Sequence, residues 1–449
     1  VLLGVFVRLL HCLLSSLSFL GIYFLAPVEQ EIAAGLAILV MIAWLWLTEA
    51  LHVSVTALLV PLLATATGIF TLPKAVSHFA DPIIFLFLGG FALAAGLRQQ
   101  GLDRWMAAWV MKKAGGELGR AARWLFVLTA VLSMWISNTA TAAMMLPLAL
   151  GLLAPLEMKQ YRTTWIYLLL GVAFSANIGG IGTLVGSPPN AIAASAVGIS
   201  FGQWLLWGLP LVIVFLPAMD WMLRRVLKPA LKAEVSVSSV EVTWTQRHTG
   251  MLLVFLLTVM LWVFGAPLGK LLGIERGYDS AVALLALVLL HTFSLASWRE
   301  IEKSADWGVL LLFGGGITLS AALGASGAGE WLAGILGGSF AVMPALVVIA
   351  LMIVFALALT EVASNTASAA LLIPLFVGMI PDVNSIVIAV MIAVATSCAF
   401  LLPVATPPNA IVFGSGKVPQ RAMIINGSWV TLIILPLLIA AAGIALLIF

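Results

Sequence analysis

Nine uninterrupted apolar runs, near 9–26, 31–50, 52–70, 82–99, 204–227, 249–268, 278–296, 307–325 and 428–449, each match the roughly 17–25 residues needed to cross a bilayer. Lipid is therefore the solvent to which the fold answers. With 63% apolar and only 9% charged residues, the 449-residue chain cannot be read as a set of water-soluble domains. A net charge of +3 is too small to imply a nucleic-acid partner. Cys12 and Cys398 lie within apolar runs and read as packing residues, and the five histidines are scattered without metal-ligand spacing. No charged region followed by a small-residue cleavage site opens the chain, so the first apolar segment is expected to be retained.

Two further regions, 122–156 and 345–380, are too long for one span, and a Ser-Asn-Thr triplet interrupts each at its centre (Ser137 to Thr139 and Ser364 to Thr366). Each arm falls short of the roughly 20 residues that a crossing needs, so both regions read as re-entrant hairpins with a polar tip inside the membrane. Irregular backbone at that depth survives only where protein or a watery cavity covers it. Regions 163–198 and 385–415 carry the breaks Gly182-Thr-Leu-Val-Gly-Ser-Pro-Pro-Asn190 and Val404-Ala-Thr-Pro-Pro-Asn409. Proline cannot continue an interior helix, so these read as broken spans. Segments 102–114 and 330–340 read as amphipathic helices on the membrane surface, the first carrying Trp105 and Trp109 among Arg104, Lys112 and Lys113.

The expected fold is an all-α polytopic membrane protein with about 11 transmembrane helices plus two re-entrant hairpins. With the N-terminus in the cytoplasm, 18 of the 21 Lys and Arg residues fall on cytoplasmic loops, leaving Lys74, Lys270 and Arg276 outside. That is the positive-inside pattern. Treating the Ser-Asn-Thr regions as ordinary spans would instead turn the basic residues between 224 and 247 outward.

The two halves resemble each other at an offset of about 225 residues. Ala80-Asp-Pro-Ile-Ile-Phe-Leu-Phe-Leu-Gly-Gly90 pairs with Ala305-Asp-Trp-Gly-Val-Leu-Leu-Leu-Phe-Gly-Gly315, Ser133-Met-Trp-Ile-Ser-Asn-Thr-Ala-Thr141 with Thr360-Glu-Val-Ala-Ser-Asn-Thr-Ala-Ser368, and Ser187-Pro-Pro-Asn-Ala-Ile192 with Thr406-Pro-Pro-Asn-Ala-Ile411. Each half holds five crossings, an odd number, so the repeat has inverted topology, as in many secondary transporters whose site lies at the repeat interface. The boundaries expected are a first helix over 1–29, repeat 1 over 30–227, a cytoplasmic linker over 228–248 and repeat 2 over 249–449. Repeat 1 divides into helices 30–99, surface helix 102–114, hairpin 120–157, broken helix 163–198 and helix 204–227; repeat 2 into helices 249–325, surface helix 330–340, hairpin 343–380, broken helix 385–415 and helix 428–449.

A dehydrated Na⁺ needs several oxygen ligands, which a hairpin tip facing an unwound helix can supply. In each repeat a hydroxyl residue stands four positions before the motif serine (Ser133 and Ser137, Thr360 and Ser364), a spacing that predicts both oxygens on one helical face. Asn138 and Asn365 offer an oxygen to a cation and an amide to an anion. Thr139 and Thr366 begin the second arms, where free N–H groups and the helix dipole favour a carboxylate. Two tips on a pseudo-twofold axis suit a small dianionic substrate, and a dicarboxylate is the natural choice. A single Ser-Asn-Thr is more often a cap or a packing contact, but two copies at repeat-equivalent positions, each followed by Pro-Pro-Asn, point to function. The glycine pairs 89–90 and 314–315 read as close helix packing. Glu361, an ionisable residue beside a tip, is a functional candidate, although its repeat partner is Met134.

These motifs resemble the divalent-anion/sodium symporter (DASS) family, and its bacterial INDY dicarboxylate transporters in particular, from about residue 30 to the end. Thr396-Ser-Cys-Ala-Phe-Leu-Leu-Pro-Val-Ala-Thr-Pro-Pro-Asn-Ala-Ile-Val412 resembles the family signature at Ser397, Phe400, Pro403, Asn409 and Val412. The resemblance implies a homodimer in the bacterial cytoplasmic membrane, with a scaffold and a mobile domain that moves elevator-fashion. It implies Na⁺ as coupling ion in at least two sites, the first from Ser133, Ser137, Asn138 and Gly186 and the second from Thr360, Ala363, Asn365 and Ala405. Substrate would meet Asn138, Thr139, Ser187, Pro188, Asn365, Thr366, Thr406 and Pro407. Relatives carry succinate, other C4-dicarboxylates, citrate or sulfate, so a citrate, sulfate or phosphate carrier and a sodium-independent exchanger stand as alternatives. An enzyme is disfavoured by the lack of a nucleophile–base pair at membrane depth, a P-loop or a metal-spaced His cluster. A channel remains a rival, because re-entrant loops can line pores.

Overall fold

The structure, a computed structural model, describes residues 2–114, 116–234, 244–274, 277–340, 343–379 and 383–448. Arg276, linker residues 235–243 and the end of the second hairpin at residue 380 lie outside the described residues. Among the described residues the regular structure is helical, with one isolated bridge between Glu117 and Glu234. Nine of the helices are long and apolar enough to cross a membrane. This is a multi-pass membrane protein.

After a first helix, Leu2–Leu25, the chain runs twice through the same series of ten helices. The first series is Gln30–Thr48, Val53–Ala66, Leu72–Ser77, Pro82–Gln99, Leu102–Ala114, the hairpin arms Leu118–Ser133 and Asn138–Leu153, the broken pair Arg162–Gly180 and Pro188–Val197, and Phe201–Leu227. The second is Gln246–Val263, Tyr278–Thr292, Trp298–Ser304, Trp307–Ala325, Ala328–Phe340, the arms Ala345–Val362 and Asn365–Met379, the broken pair Ser385–Ser397 and Pro407–Gly414, and Gln420–Ile448, with one extra short helix at Gly265–Leu272.

Local chemistry repeats as well. Asp81 caps Pro82–Gln99 by accepting from the Ile83 N–H at 2.9 Å, and Asp306 caps Trp307–Ala325 by accepting from the Val309 N–H at 3.1 Å. Prolines stand at the first turn of both second broken halves, where a missing N–H costs nothing. The last helix begins at Gln420, eight residues before the sequence expectation. Asn426 donates to the Ala422 carbonyl at 2.7 Å and Ser428 to the Ile424 carbonyl at 2.8 Å, bonds back into the preceding turn that leave the helix continuous.

The first halves of the two broken helices form the centre. Every residue from Thr164 to Gly180 is buried, as is every residue from Val387 to Ser397. Phe174 and Phe400 meet edge to face between the repeats, with ring centroids 5.0 Å apart. Around this centre each repeat leans on the other. A Cβ on Gly89 would lie 2.6 Å from the Ala283 carbonyl oxygen, and one on Gly315 would lie 2.7 Å from that of Ala57. The expected packing role thus holds for Gly89 and Gly315, which let helices of opposite repeats touch backbone to backbone. Gly90 also packs, against Val185, and lines the central cavity.

Candidate substrate and cation site

Both hairpins turn just where the triplets stand. The first arm ends at Ser133, and Ser137 caps the second by accepting from the Ala140 N–H at 3.3 Å. Ser133 and Ser137 therefore do not share a helical face, nor do Thr360 and Ser364, contrary to the spacing argument, because in each repeat the helix stops between them. The Ser133 hydroxyl instead reaches the residue after the cap, lying 2.6 Å from Asn138 Oδ1 and 2.7 Å from the Ala176 carbonyl. In the second repeat the Thr360 hydroxyl lies 2.7 Å from Asn365 Oδ1 and 2.7 Å from the Thr396 carbonyl.

One hydroxyl proton cannot serve two acceptors, so each cluster is rich in oxygen. In the first, the Asn138 oxygen faces only acceptors, and Gly186 adds a carbonyl. Two arrangements satisfy that side chain. Turned about, its nitrogen donates to Ser133 Oγ at 2.6 Å and to the Gly186 and Ala176 carbonyls at 3.2 Å each; unturned, its oxygen stands with these three as a group of four oxygens.

The breaks opposite the tips are held by the Pro-Pro-Asn asparagines. Asn190 donates to the carbonyls of Gly180 and Thr183 at 2.8 and 2.7 Å, and Asn409 to those of Ala399 and Leu402 at 3.2 and 3.1 Å. Each is fully buried and ties together two carbonyls at its break. Terminal helices press on the same breaks through matched glycines. A Cβ on Gly208 would lie 2.9 Å from the Gly182 carbonyl oxygen, and one on Gly427 would lie 3.0 Å from the Leu401 Cα. Sequence reasoning missed these roles, although both Asn and Gly pairs recur at an offset of 219 residues that could have marked them.

Tips and breaks enclose a cavity of about 500 Å³. All eight residues expected to meet substrate line it: Asn138, Thr139, Ser187 and Pro188 from one repeat, Asn365, Thr366, Thr406 and Pro407 from the other. Of the expected cation ligands, Ser137, Asn138, Gly186, Asn365 and Ala405 also line it, whereas Ser133, Thr360 and Ala363 are buried behind the tips. Asn177, which sequence reasoning passed over, lines it too, and so do Glu49 and Asp306 at helix ends on one side.

Among its described lining residues the cavity has acidic side chains but no Lys or Arg. Positive potential comes from backbone. Four helices, starting at Asn138, Pro188, Asn365 and Pro407, begin at its wall. At Asn138 and Asn365 the first-turn N–H groups add to the helix dipole, whereas at the two Pro-Pro starts the dipole acts alone, and together they favour an anion without a basic side chain.

The citrate transporter (CitMHS) family model matches residues 43–395. An uncharacterized transporter of Haemophilus influenzae is 46% identical over 420 residues, covering 91% of this chain and 90% of its own. A sodium-dependent dicarboxylate transporter, SdcS, of Staphylococcus saprophyticus is 34% identical over 439 residues, covering 89% of this chain and 83% of its own. The chain belongs to the divalent-anion/sodium symporter family. As a DASS member it is a transporter and not an enzyme. Among solved structures, the YdaH transporter of Alcanivorax borkumensis superposes with a TM-score of 0.56 at 14% identity, over 83% of this chain and 86% of its own. MtrF of Neisseria gonorrhoeae superposes with a TM-score of 0.57 at 15% identity, over 86% and 85%. At such identities the likeness extends to the fold alone.

Proposed function

We propose that this chain is a Na⁺-coupled symporter of C4-dicarboxylates such as succinate across the bacterial cytoplasmic membrane. The observation that carries the reading is the convergence of four helix N-termini on a cavity without Lys or Arg, flanked by two oxygen-rich clusters. Neutral donors at two opposed tips suit a carboxylate at each end of a short substrate. In the cation-loaded state, Ser133, Ser137, Asn138 and Gly186 hold one Na⁺, while Thr360, Ala363, Asn365 and Ala405 hold a second. Asn138, Thr139, Ser187, Pro188, Asn365, Thr366, Thr406 and Pro407 contact the dianion. The sodium-dependent dicarboxylate transporter among the relatives supports this coupling.

The same reading makes the repeats inverted, with the N-terminus in the cytoplasm. The hairpins, broken helices and the helices Phe201–Leu227 and Gln420–Ile448 form a mobile domain, carried elevator-fashion against a scaffold that also builds a homodimer. With that orientation Glu49 and Asp306 lie on the cytoplasmic side, so the cavity faces inward. The deciding experiment is radiolabelled succinate uptake into proteoliposomes with and without an inward Na⁺ gradient. Uptake indifferent to Na⁺ would leave an exchanger. A citrate carrier is the second reading, favoured by the family match and by a cavity large enough for a tricarboxylate; competition by citrate, sulfate and succinate separates them.

A further inference from the structure

Glu361 is the point at which the two repeats part company. It sits 8% exposed in the first arm of the second hairpin, next to Thr360, where the first repeat has Met134. Its carboxylate accepts from three consecutive backbone N–H groups across the second break: Phe400 at 2.8 Å, Leu401 at 3.1 Å to both oxygens, and Leu402 at 3.2 Å. On the far side of the same strand of backbone, Asn409 ties down the Ala399 and Leu402 carbonyls. The segment is thus held by its donors and its acceptors at once, immediately before Ala405 and Thr406.

The first break is organised without charge. Asn190 holds its carbonyls, Thr183 donates from its hydroxyl to the Met134 carbonyl, and Trp204 donates to the Ile181 carbonyl at 2.9 Å. Resting on the symport reading above, we propose that Glu361 is a positioning residue for the second cation site. It presets the loop that presents the Ala405 carbonyl and adds a nearby negative charge, so the second site binds Na⁺ more tightly and fills first. Two effects act in one direction. A loop fixed in advance loses less conformational freedom when the ion arrives, and a charge at low dielectric attracts a cation strongly. Glu361 itself does not touch the ion or the dianion.

The test compares Glu361→Gln and Glu361→Asp with wild type in proteoliposomes, alongside Na⁺ titration of the thermal stability of the purified protein without substrate. Gln keeps the length but removes the charge and turns an N–H₂ toward donors; Asp keeps the charge with a shorter reach. Glu361→Gln is expected to raise the half-saturating Na⁺ concentration about fivefold or more, with the substrate KM at saturating Na⁺ within about twofold. Glu361→Asp should fall between Gln and wild type. Loss of maximal rate or stability with an unchanged half-saturating Na⁺ would reduce Glu361 to a fastener and overturn the proposal. So would an unfoldable Gln variant beside an Asp variant with wild-type Na⁺ dependence. If wild-type uptake and stability ignore Na⁺, the symport reading itself fails, and this inference with it.

Discussion

The side-chain amide of Asn177 donates to Thr406 Oγ1 at 3.1 Å, joining the broken helix of one repeat to the break of the other. The same nitrogen reaches the Ala399 carbonyl at 3.3 Å and Asn409 Oδ1 at 3.4 Å. Asn177→Ala should therefore weaken both stability and the site. Thr406 Oγ1 and the Ala399 carbonyl keep Asn409 as a donor, but Asn409 Oδ1 is left without one; we expect about 1–3 kcal/mol lost in unfolding, the usual cost of an unpaired buried acceptor, and a higher substrate KM. A variant that melts with wild type and keeps its KM would show the bridge to be idle.

Asn190 and Asn409 perform one task in two places, so their replacement should have matched effects. Asn190→Ala and Asn409→Ala each remove two buried hydrogen bonds from a break, and each should destabilise by about 1–3 kcal/mol. Thermal melting of the detergent-solubilised protein measures both, and indifference to either replacement would contradict the stapling role.

Gly208→Ala and Gly427→Ala should abolish most transport while the protein still inserts. Their methyls meet backbone, which cannot rotate away, so the terminal helix or the break must shift. A loss of roughly 10²-fold is the scale expected of an ångström-sized displacement at a site. Gly151→Ala is the control, because a Cβ there meets nothing within 4 Å. Equal uptake in all three variants would sink the argument.

At the end of Phe201–Leu227, Arg224 pairs with Asp220 at 2.8 Å, and Tyr167 donates to Asp220 Oδ1 at 2.6 Å. Removing Arg224 alone leaves a carboxylate, its side chain only 17% exposed, without its counter-charge and with the Tyr167 hydroxyl as a remaining donor. Arg224→Ala should therefore melt well below the Asp220→Ala/Arg224→Ala pair, as a double-mutant cycle would reveal.

Asp103, in the surface helix Leu102–Ala114, is 5% exposed, and burial raises its carboxyl above the usual value of 3.8 despite the Arg104 N–H and the nearby Arg104 and Arg98 charges. A raised pKa means that the fold favours the protonated acid. That contribution is full below 3.8 and is lost as pH climbs through the folded-state value. Asp103→Asn should then melt higher than wild type at pH 7, with the gap closing on acidification toward pH 4. A gap independent of pH would assign the effect to something other than ionisation.

The tips and the breaks were legible because each is a polar or prolyl interruption in a lipid-compatible run, and such interruptions are visible locally. Internal repetition then pointed to the breaks as partners of the tips. What stayed hidden were relations between distant positions: Asn177 with Thr406, Glu361 with the Phe400 to Leu402 amides, Gly427 with the second break. Spacing also misled at Ser133, where an intact helix was assumed and the chain had already turned. Side-chain polarity announces that a group needs a partner, but only the folded chain names it.

The crossed contacts of Gly89 with Ala283 and of Gly315 with Ala57 have a consequence for how the protein is made. Neither half closes its own seam, so helices inserted early must wait in the bilayer with bare glycine faces until much later residues leave the ribosome. An ancestral polypeptide of half this length would have needed a second copy to cover the same surfaces.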